Sequence, residues 1–227
     1  MKGVVSKISV WVLSGLFCVS TAFAATELDD RIWEANEVLK EFVSIPEHRI
    51  PPNLLRKARA IAIFPNMVKA GFIVAGQFGR GVVLYRDESS GKWSPPAFFR
   101  ISGASVGFQI GGQSTDAILV VTNERGVRAL LRNKFTIGVD ASVAVGPSGR
   151  DAEARTDWHL KANILSYSRS KGLFAGVSLD GVVVNQDKKA NAGYYGSELT
   201  AEDILMGRKV KATTQAKELI QTLERYS

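Results

Sequence analysis

The chain has 227 residues, of which 45% are hydrophobic, and a formal net charge of +7. Its one cysteine, Cys18, excludes a protein held together by disulfides, and the length suits one domain with an ordinary hydrophobic core. The modest positive charge fits two roles equally well, solubility or attraction to an anionic surface.

The N-terminal segment has the pattern of a secretory signal peptide. Two lysines accompany an apolar stretch over 8–19, and residues 22–24 read Ala-Phe-Ala, a small-x-small cleavage signal. The apolar stretch is shorter than the ~20 residues that span a bilayer, which argues against an uncleaved anchor. A lipidated Cys18 is a further alternative. We expect cleavage after Ala24 and an exported protein that is periplasmic or associated with the outer envelope.

An amphipathic helix is predicted over 27–43. Its apolar residues recur at helical spacing, and its polar face has six acidic residues against two basic ones. A helix that lies on an anionic bilayer is normally basic, so this helix is expected to dock on the protein core. Its core-facing stripe comprises Leu28, Ile32, Ala35, Leu39 and Phe42.

Three further helical segments are predicted. A short helix over 53–60 follows two prolines, which are tolerated at a helix start. Residues 127–133 are expected to form one or two helical turns. The tail over 200–226 returns to helical spacing, and Thr200 with Asp203 resembles a capping box.

Between the terminal helices, from Ile61 to about Val184, apolar residues alternate with a period of two, which is typical of strands. A turn rich in acidic residues and serine is predicted over 87–91, and a glycine-rich hairpin turn over 76–81. The predicted strands are 60–64, 71–76, 81–86, 97–102, 105–111, 116–122, 135–145, 162–170 and 172–184.

Helices at both ends with short strands between them predict an α+β fold. The short spacings favour a curved antiparallel sheet that closes into a barrel- or sandwich-like core, with helices from the N- and C-terminal segments packed on it. No linker or repeat divides the sequence, so residues 25–227 are expected to form a single domain.

The glycine-rich stretch SVGFQIG, residues 105–111, raises the question of a nucleotide site. A phosphate-binding loop has its glycines between a strand and a helix. Here Val106, Phe108 and Ile110 alternate with glycine and polar residues, and an apolar strand follows. Because glycine within a strand marks a bend, a bulge or a close approach, we interpret this stretch as tightly packed sheet.

No catalytic, metal-binding or cofactor-binding constellation is recognisable. His48 and His159 lack a spaced ligand set or a nucleophile elbow, so we expect a protein that is not an enzyme and needs no cofactor. Polar residues do cluster at predicted strand ends, where they form either buried hydrogen bonds that fix loops or a polar ligand pocket. They are Gln113, Ser114, Asp116, Arg150, Thr156, Asp157, Ser166, Ser168 and Arg169.

Three stretches together resemble the SYLF domain, a lipid-binding family with bacterial and eukaryotic members. They are WSPPAFFRISGASVGFQIGGQSTDAILVVTNERGVRALL over 93–131, KFTIGVDASVAVGPSGRDAEARTDW over 134–158 and ILSYSRSKGLFAGVSLDGVVV over 164–184. The likeness extends from about Ala35 to Tyr226. It implies membrane binding, since eukaryotic members bind phosphoinositide membranes and fungal ones also bind actin. Bacterial members are typically exported.

For this chain the resemblance implies an anionic phospholipid partner such as phosphatidylglycerol, cardiolipin or the lipid A phosphates. The alternative is an envelope scaffold that binds a protein partner. An exported chain without a nucleic-acid-binding motif is not expected to bind nucleic acid. The lipid-binding residues are predicted from the densest basic stretches: Arg56, Lys57, Arg59 and Lys69, and secondarily Arg208, Lys209 and Lys211.

Charge alone gives a weak interaction. Each Lys or Arg at an anionic surface contributes about 1 kcal/mol, so four give about 4 kcal/mol and a roughly millimolar affinity. An inserted aromatic group or several copies would be required. Trp93, Phe98 and Phe99 are the candidate aromatic wedge.

Overall fold

The computed structural model describes residues 26–45, 49–71, 74–106, 111–132, 134–147, 162–170, 173–174, 179, 181–207 and 209–227. The helices in these residues are α1 (26–44), α2 (Pro52–Lys57), α3 (Glu124–Leu130), α4 (Lys188–Tyr195), α5 (Ala201–Leu205) and α6 (Thr214–Tyr226). Within this part of the chain the helices are too short or too polar to cross a membrane.

The predicted helices are present, but α2 ends three residues before its predicted end, α3 lies three residues earlier than predicted, and α4 was not predicted. Their ends have local causes. Pro52 starts α2, and Asn123 caps α3 by accepting a hydrogen bond from the Gly126 N–H at 3.0 Å. The capping box of Thr200 and Asp203 starts α5. The tail forms two helices, α5 and α6, in place of one continuous helix.

The strands are β1 (Ala60–Gly71), β2 (Val74–Tyr85), β3 (Ala97–Val106), β4 (Gly111–Val121), β5 (Phe135–Thr136), β6 (Val143–Val145), β7 (Ile164–Ser170), β8 (Leu173–Phe174) and β9 (Val183–Gln186). They form one sheet in the order β5-β9-β3-β2-β1-β4-β7-β6, with β8 paired to β7. All pairs are antiparallel except β6 with β7. The sheet curls into a half-barrel, which confirms the predicted α+β fold.

Apolar side chains cover both faces of the sheet. On one face, which we call the helix face, Ile61 and Ile63 pack with α1, α2 and α6. On the opposite face, Ala60, Ala62 and Phe64 pack with α3 and α5. Burial on both faces explains why β1 and β4 also contain the continuous apolar runs 60–64 and 117–121. The first and last of these helices, α1 and α6, thus cover the same side of the sheet.

A bulge at Pro65-Asn66 divides β1. Asn66 has a φ of 49°, and its N–H donates a hydrogen bond to Asp116 Oδ1 at 2.9 Å. The extra residue reverses the alternation of side chains. Met67 therefore packs on the opposite face, and Val68 lies on the helix face.

The predicted hairpin turn over 76–81 is wrong, because these residues lie inside β2. At these positions a glycine is needed because residues of β1 approach β2 closely. A Cβ atom at Gly79 would lie 2.5 Å from Met67 Cγ, and one at Gly81 would lie 2.1 Å from the carbonyl oxygen of Ile63.

The structure describes only the two ends of the glycine-rich stretch over 105–111, which was predicted as one strand. Val106 ends β3 and pairs with Val74, whereas Gly111 starts β4 and pairs with Gly71. Residues 107–110 lie outside the described residues. Because β1 and β2 lie between β3 and β4, the two ends belong to different parts of the sheet. A strand follows the glycines, as expected for sheet packing.

Two long strand predictions are wrong. The segment 135–145 contains β5, β6 and a turn over 138–140, where Gly138 has a φ of 83° and Asp140 Oδ2 accepts a hydrogen bond from the Thr136 N–H at 2.6 Å. The segment 172–184 holds β8 and the start of β9, with a turn at Gly181, whose φ is 78°, just before β9; residues 172, 175–178 and 180 lie outside the described residues.

Candidate functional site

Helix α2 presents two adjacent cations at one end of the sheet. Its buried Leu54 and Leu55 anchor it on the core, while Arg56 and Lys57 form its exposed last turn. Among the described residues neither cation has an acidic partner within ion-pair distance. Cations in the last turn also suit the helix dipole. These two residues of the predicted site are available to a ligand.

Arg86, which was not predicted as a site residue, completes a basic cleft beside α2. Its side chain donates hydrogen bonds to the backbone oxygens of Arg56 at 2.8 Å and Gly91 at 2.9 Å, and its guanidinium lies 5.9 Å from the Trp93 ring centroid. The cleft has a volume of about 460 Å³ and is also lined by Lys57, Arg59, Asp87 and Glu88. It offers a mainly basic surface with two carboxylates at its edge.

Arg59 has a structural role in this cleft. Its guanidinium donates to Glu124 Oε1 at 2.9 Å and to Glu88 Oε2 at 2.8 Å. Burial lowers the pKa of Arg59, and the hydrogen bond and charge of Glu124, with the charge of Glu88, raise it above its ordinary value. Arg59 therefore ties β1 to α3 and to the turn over 87–91.

The structure separates Lys69 from the other predicted residues. Lys69 lies nine residues beyond Ala60 in β1, so the strand carries it about 30 Å from the cleft. Lys209 and Lys211 are exposed, and Val210 between them lines a second cleft with Asp87 and Lys92. They therefore lie at the same end of the sheet as Arg86. Arg208 lies outside the described residues.

Lys209 pairs with Asp203, the carboxylate of the α5 capping box. The hydrogen bond from Lys209, followed by those from Thr200, lowers the pKa of Asp203 to about 2. Because the folded-state pKa is depressed, this contribution to stability is present above pH ~4 and is lost as the pH falls toward 2.

We expect an NMR titration of the Asp203 carboxyl carbon to give a pKa near 2 in the folded protein. The substitution Lys209→Ala should raise this pKa toward 3.8, while Lys211→Ala should leave it unchanged. An identical pKa in wild type and Lys209→Ala would show that the pair does not form in solution.

The predicted aromatic wedge is wrong. Trp93 is 6% exposed, and Phe98 and Phe99 are fully buried. The apolar stripe of α1 is also buried against the sheet, as its acidic polar face predicted. None of these groups is available for insertion into a bilayer in this structure.

Three of the predicted polar residues, on β4 and β7, form two separate sets of contacts. Arg169 forms an ion pair with Asp116 at 2.8 Å, and it also pairs with Glu41 of α1. Ser166 Oγ donates to the backbone oxygen of Ala144 at 3.3 Å. These contacts favour the interpretation of the polar residues as hydrogen-bonding groups that hold structural elements together, over that of a polar ligand pocket.

Several predicted polar residues lie outside the described residues: Arg150, Thr156, Asp157 and both histidines. In the part of the chain that is described, no three His, Cys, Asp or Glu side chains are grouped as metal ligands would be. The remaining polar candidates, Gln113, Ser114 and Ser168, lie within β4 and β7.

Residues 102–226, more than half of the chain, match the family described as "Ysc84: Las17-binding protein actin regulator". "SH3 domain-containing YSC84-like protein 1" of Xenopus laevis is 37% identical over 86% of this chain and 59% of its own length. The human protein of that name is 35% identical over 86% of this chain and 58% of its own. "Protein YSC84" of Saccharomyces cerevisiae is 36% identical over 84% and 42%.

The chain thus spans about three-fifths of the animal relatives and less than half of the yeast one. The family description names binding and regulation, not a catalysed reaction. The chain belongs to the Ysc84 family, which confirms its resemblance to the SYLF domain.

Proposed function

We propose that this protein is a non-catalytic binding module that engages anionic phospholipid headgroups at an envelope membrane. The observation that supports it is the cleft where Arg56, Lys57 and Arg86 converge without a carboxylate partner among the described residues. Headgroup phosphates are the natural acceptors for guanidinium and ammonium donors. We call the surface around this cleft the basic end; its cations are Arg56, Lys57, Arg86, Lys92, Lys209 and Lys211.

The basic end is suited to a salt-sensitive interaction. Six cations at about 1 kcal/mol each would contribute at most about 6 kcal/mol, which corresponds to a Kd of roughly 40 μM. Asp87 and Glu88 reduce this value because they lie in the same cleft, and Asp203 reduces it further because it pairs with Lys209. With the predicted aromatic wedge buried, affinity would depend on charge and on the number of copies at the surface.

The double substitution Arg56→Glu/Lys57→Glu should weaken binding to phosphatidylglycerol vesicles about 30-fold, the equivalent of about 2 kcal/mol. Both side chains are exposed and free of ion pairs among the described residues, so the melting temperature should change little. Vesicle titration at fixed ionic strength measures the affinity.

Lys57→Glu and Lys69→Glu form the matched control pair. They make the same change of charge about 30 Å apart. We expect Lys57→Glu to weaken binding several-fold and Lys69→Glu to change it less than twofold. Equal loss in both variants would assign the effect to net charge, and would reject the basic end as the site.

The second candidate is a scaffold that binds a protein partner. It is favoured by the relatives, one of which is "LAS seventeen-binding protein 3", 38% identical over 70% of this chain. Partner binding of this kind should survive Arg56→Glu/Lys57→Glu, and the wild-type protein should then bind neutral and anionic vesicles equally poorly. These results together would favour the scaffold over the lipid-binding module.

A further inference from the structure

Beyond the bulge in β1, the helix face of the sheet carries an exposed apolar pair. Val68 and Phe78 are cross-strand partners on β1 and β2, and they are 51% and 47% exposed. The bulge turns Val68 toward the side of the sheet on which α1 lies. The pair therefore extends the apolar helix face into solvent, past the edge of α1.

One edge of α1 borders this apolar pair with carboxylates. Glu27, Asp30 and Glu34 recur at helical spacing, so they lie along one side of the helix. Together with Pro65, Val68 and Phe78 they line a groove of about 410 Å³ between α1 and the β1–β2 pair, to which Arg31 and Arg80 also contribute. The groove has an apolar floor and an acidic wall.

Arg80 shows which chemistry this groove accommodates. Its guanidinium forms an ion pair with Glu27 at 2.9 Å and lies 6.0 Å from the Phe78 ring centroid. The cation thus uses a carboxylate of the wall and an aromatic ring of the floor together. Asp30 and Glu34 form no ion pair with the described residues, and so can receive further cations.

We propose that this groove binds a basic, partly apolar peptide segment of a partner protein. Apolar side chains of the segment contact Val68 and Phe78, and its Lys or Arg side chains pair with Asp30 and Glu34. Asp30 and Glu34, which form no ion pair with the described residues, disfavour contact with an anionic membrane surface, so this site does not depend on lipid binding.

The test uses a fluorescein-labelled octapeptide that alternates lysine and leucine, titrated with the purified protein in fluorescence anisotropy. Two peptides serve as controls, one with glutamate for lysine and one with serine for leucine. We expect the lysine–leucine peptide to bind with a Kd of tens of micromolar, and each control to bind at least tenfold more weakly. Equal binding of the glutamate–leucine peptide would overturn the proposal.

The charge reversal Asp30→Lys/Glu34→Lys should weaken binding of the lysine–leucine peptide at least tenfold. Glu218→Lys/Glu224→Lys, a matched reversal of two exposed residues of α6, should not. Phe78→Ser provides a second variant that removes the floor without changing charge. Unchanged affinity in both groove variants would overturn the proposal.

Chemical-shift mapping locates the peptide. Shifts concentrated at Val68, Phe78 and the start of α1 support the proposal, and shifts elsewhere contradict it. Sedimentation of the protein alone tests whether a second copy of the protein occupies the groove. Self-association that Asp30→Lys/Glu34→Lys abolishes would assign the groove to a homodimer, and would overturn the peptide assignment.

Discussion

Replacing Gly81 with alanine is expected to destabilise the fold by about 3 kcal/mol. The added Cβ would lie 2.1 Å from the carbonyl oxygen of Ile63 and 2.7 Å from Cδ1 of the Phe64 ring. The first of these atoms belongs to the backbone of β1, which pairs with β2 on one side and β4 on the other. Because the backbone cannot move without breaking the sheet, a small shift cannot relieve the steric clash.

Gly76→Ala is the matched control, since Gly76 lies in the same strand and a Cβ there meets nothing within 4 Å. It should change the free energy of unfolding by less than about 1 kcal/mol. Urea denaturation measures both variants. Coincident unfolding curves for the two alanine variants would refute the close packing of β1 on β2.

The second large effect is expected at a buried ion pair that fixes α1 to the sheet. Arg31 and Asp187 are both 7% exposed, and Arg31 Nη1 lies 3.3 Å from Asp187 Oδ2. The guanidinium also lies 5.4 Å from the Phe98 ring centroid. Burial lowers the pKa of Arg31, and Asp187 opposes that shift.

Asp187→Asn should destabilise the protein by about 3 kcal/mol, because it leaves a buried guanidinium with only a longer contact to the exposed Glu27, at 3.7 Å. Asparagine preserves the cap that Asp187 provides to α4 by accepting from the Ala190 N–H. The loss of stability in this variant therefore measures the effect of the missing charge and not the loss of a helix cap. Chemical denaturation of the variant gives the free energy of unfolding.

Glu37→Gln supplies the comparison, since it breaks the exposed α1 pair of Glu37 and Lys40. That pair should contribute no more than about 0.5 kcal/mol. Adding Arg31→Met to Asp187→Asn should recover part of the lost stability, because the buried charge that lost its main partner is then removed. An additive loss in the double variant would mean that the two side chains do not interact.

Much of the fold follows from local sequence patterns. The stripe of α1, the cap of α5 and the short α2 each depend on a few neighbouring residues, and each is found where predicted. The strand over 135–145 failed because perfect alternation of side chains does not exclude a turn. There Asp140 closes a turn on Thr136, with Gly138 supplying a positive φ.

The predicted hairpin turn over 76–81 failed for a related reason. Glycine density was interpreted as a chain reversal, whereas Gly81 is required by a contact with a residue 18 positions away, Ile63. No local pattern reports such a contact. The bulge at Pro65-Asn66, which exposes Val68, likewise depends on pairing with two strands.

The candidate site shows the same difference between local patterns, which the sequence predicts, and long-range pairing, which it does not. Arg56 and Lys57 are adjacent in sequence, and a short helix presents them together. Arg86 joins them through the pairing of Tyr85 with Ala60, which the sequence did not specify. Lys69 was grouped with them because it is close in sequence, but an extended strand separates it from the cleft.

The most direct test of the account is co-sedimentation of the purified protein with vesicles at physiological salt. Phosphatidylglycerol or cardiolipin vesicles are compared with phosphatidylcholine/phosphatidylethanolamine vesicles. If the basic end binds anionic lipid, the wild-type protein pellets with the anionic vesicles only, and the Arg56→Glu/Lys57→Glu variant stays in the supernatant. Equal amounts of wild-type protein in the supernatant with both kinds of vesicle would contradict it.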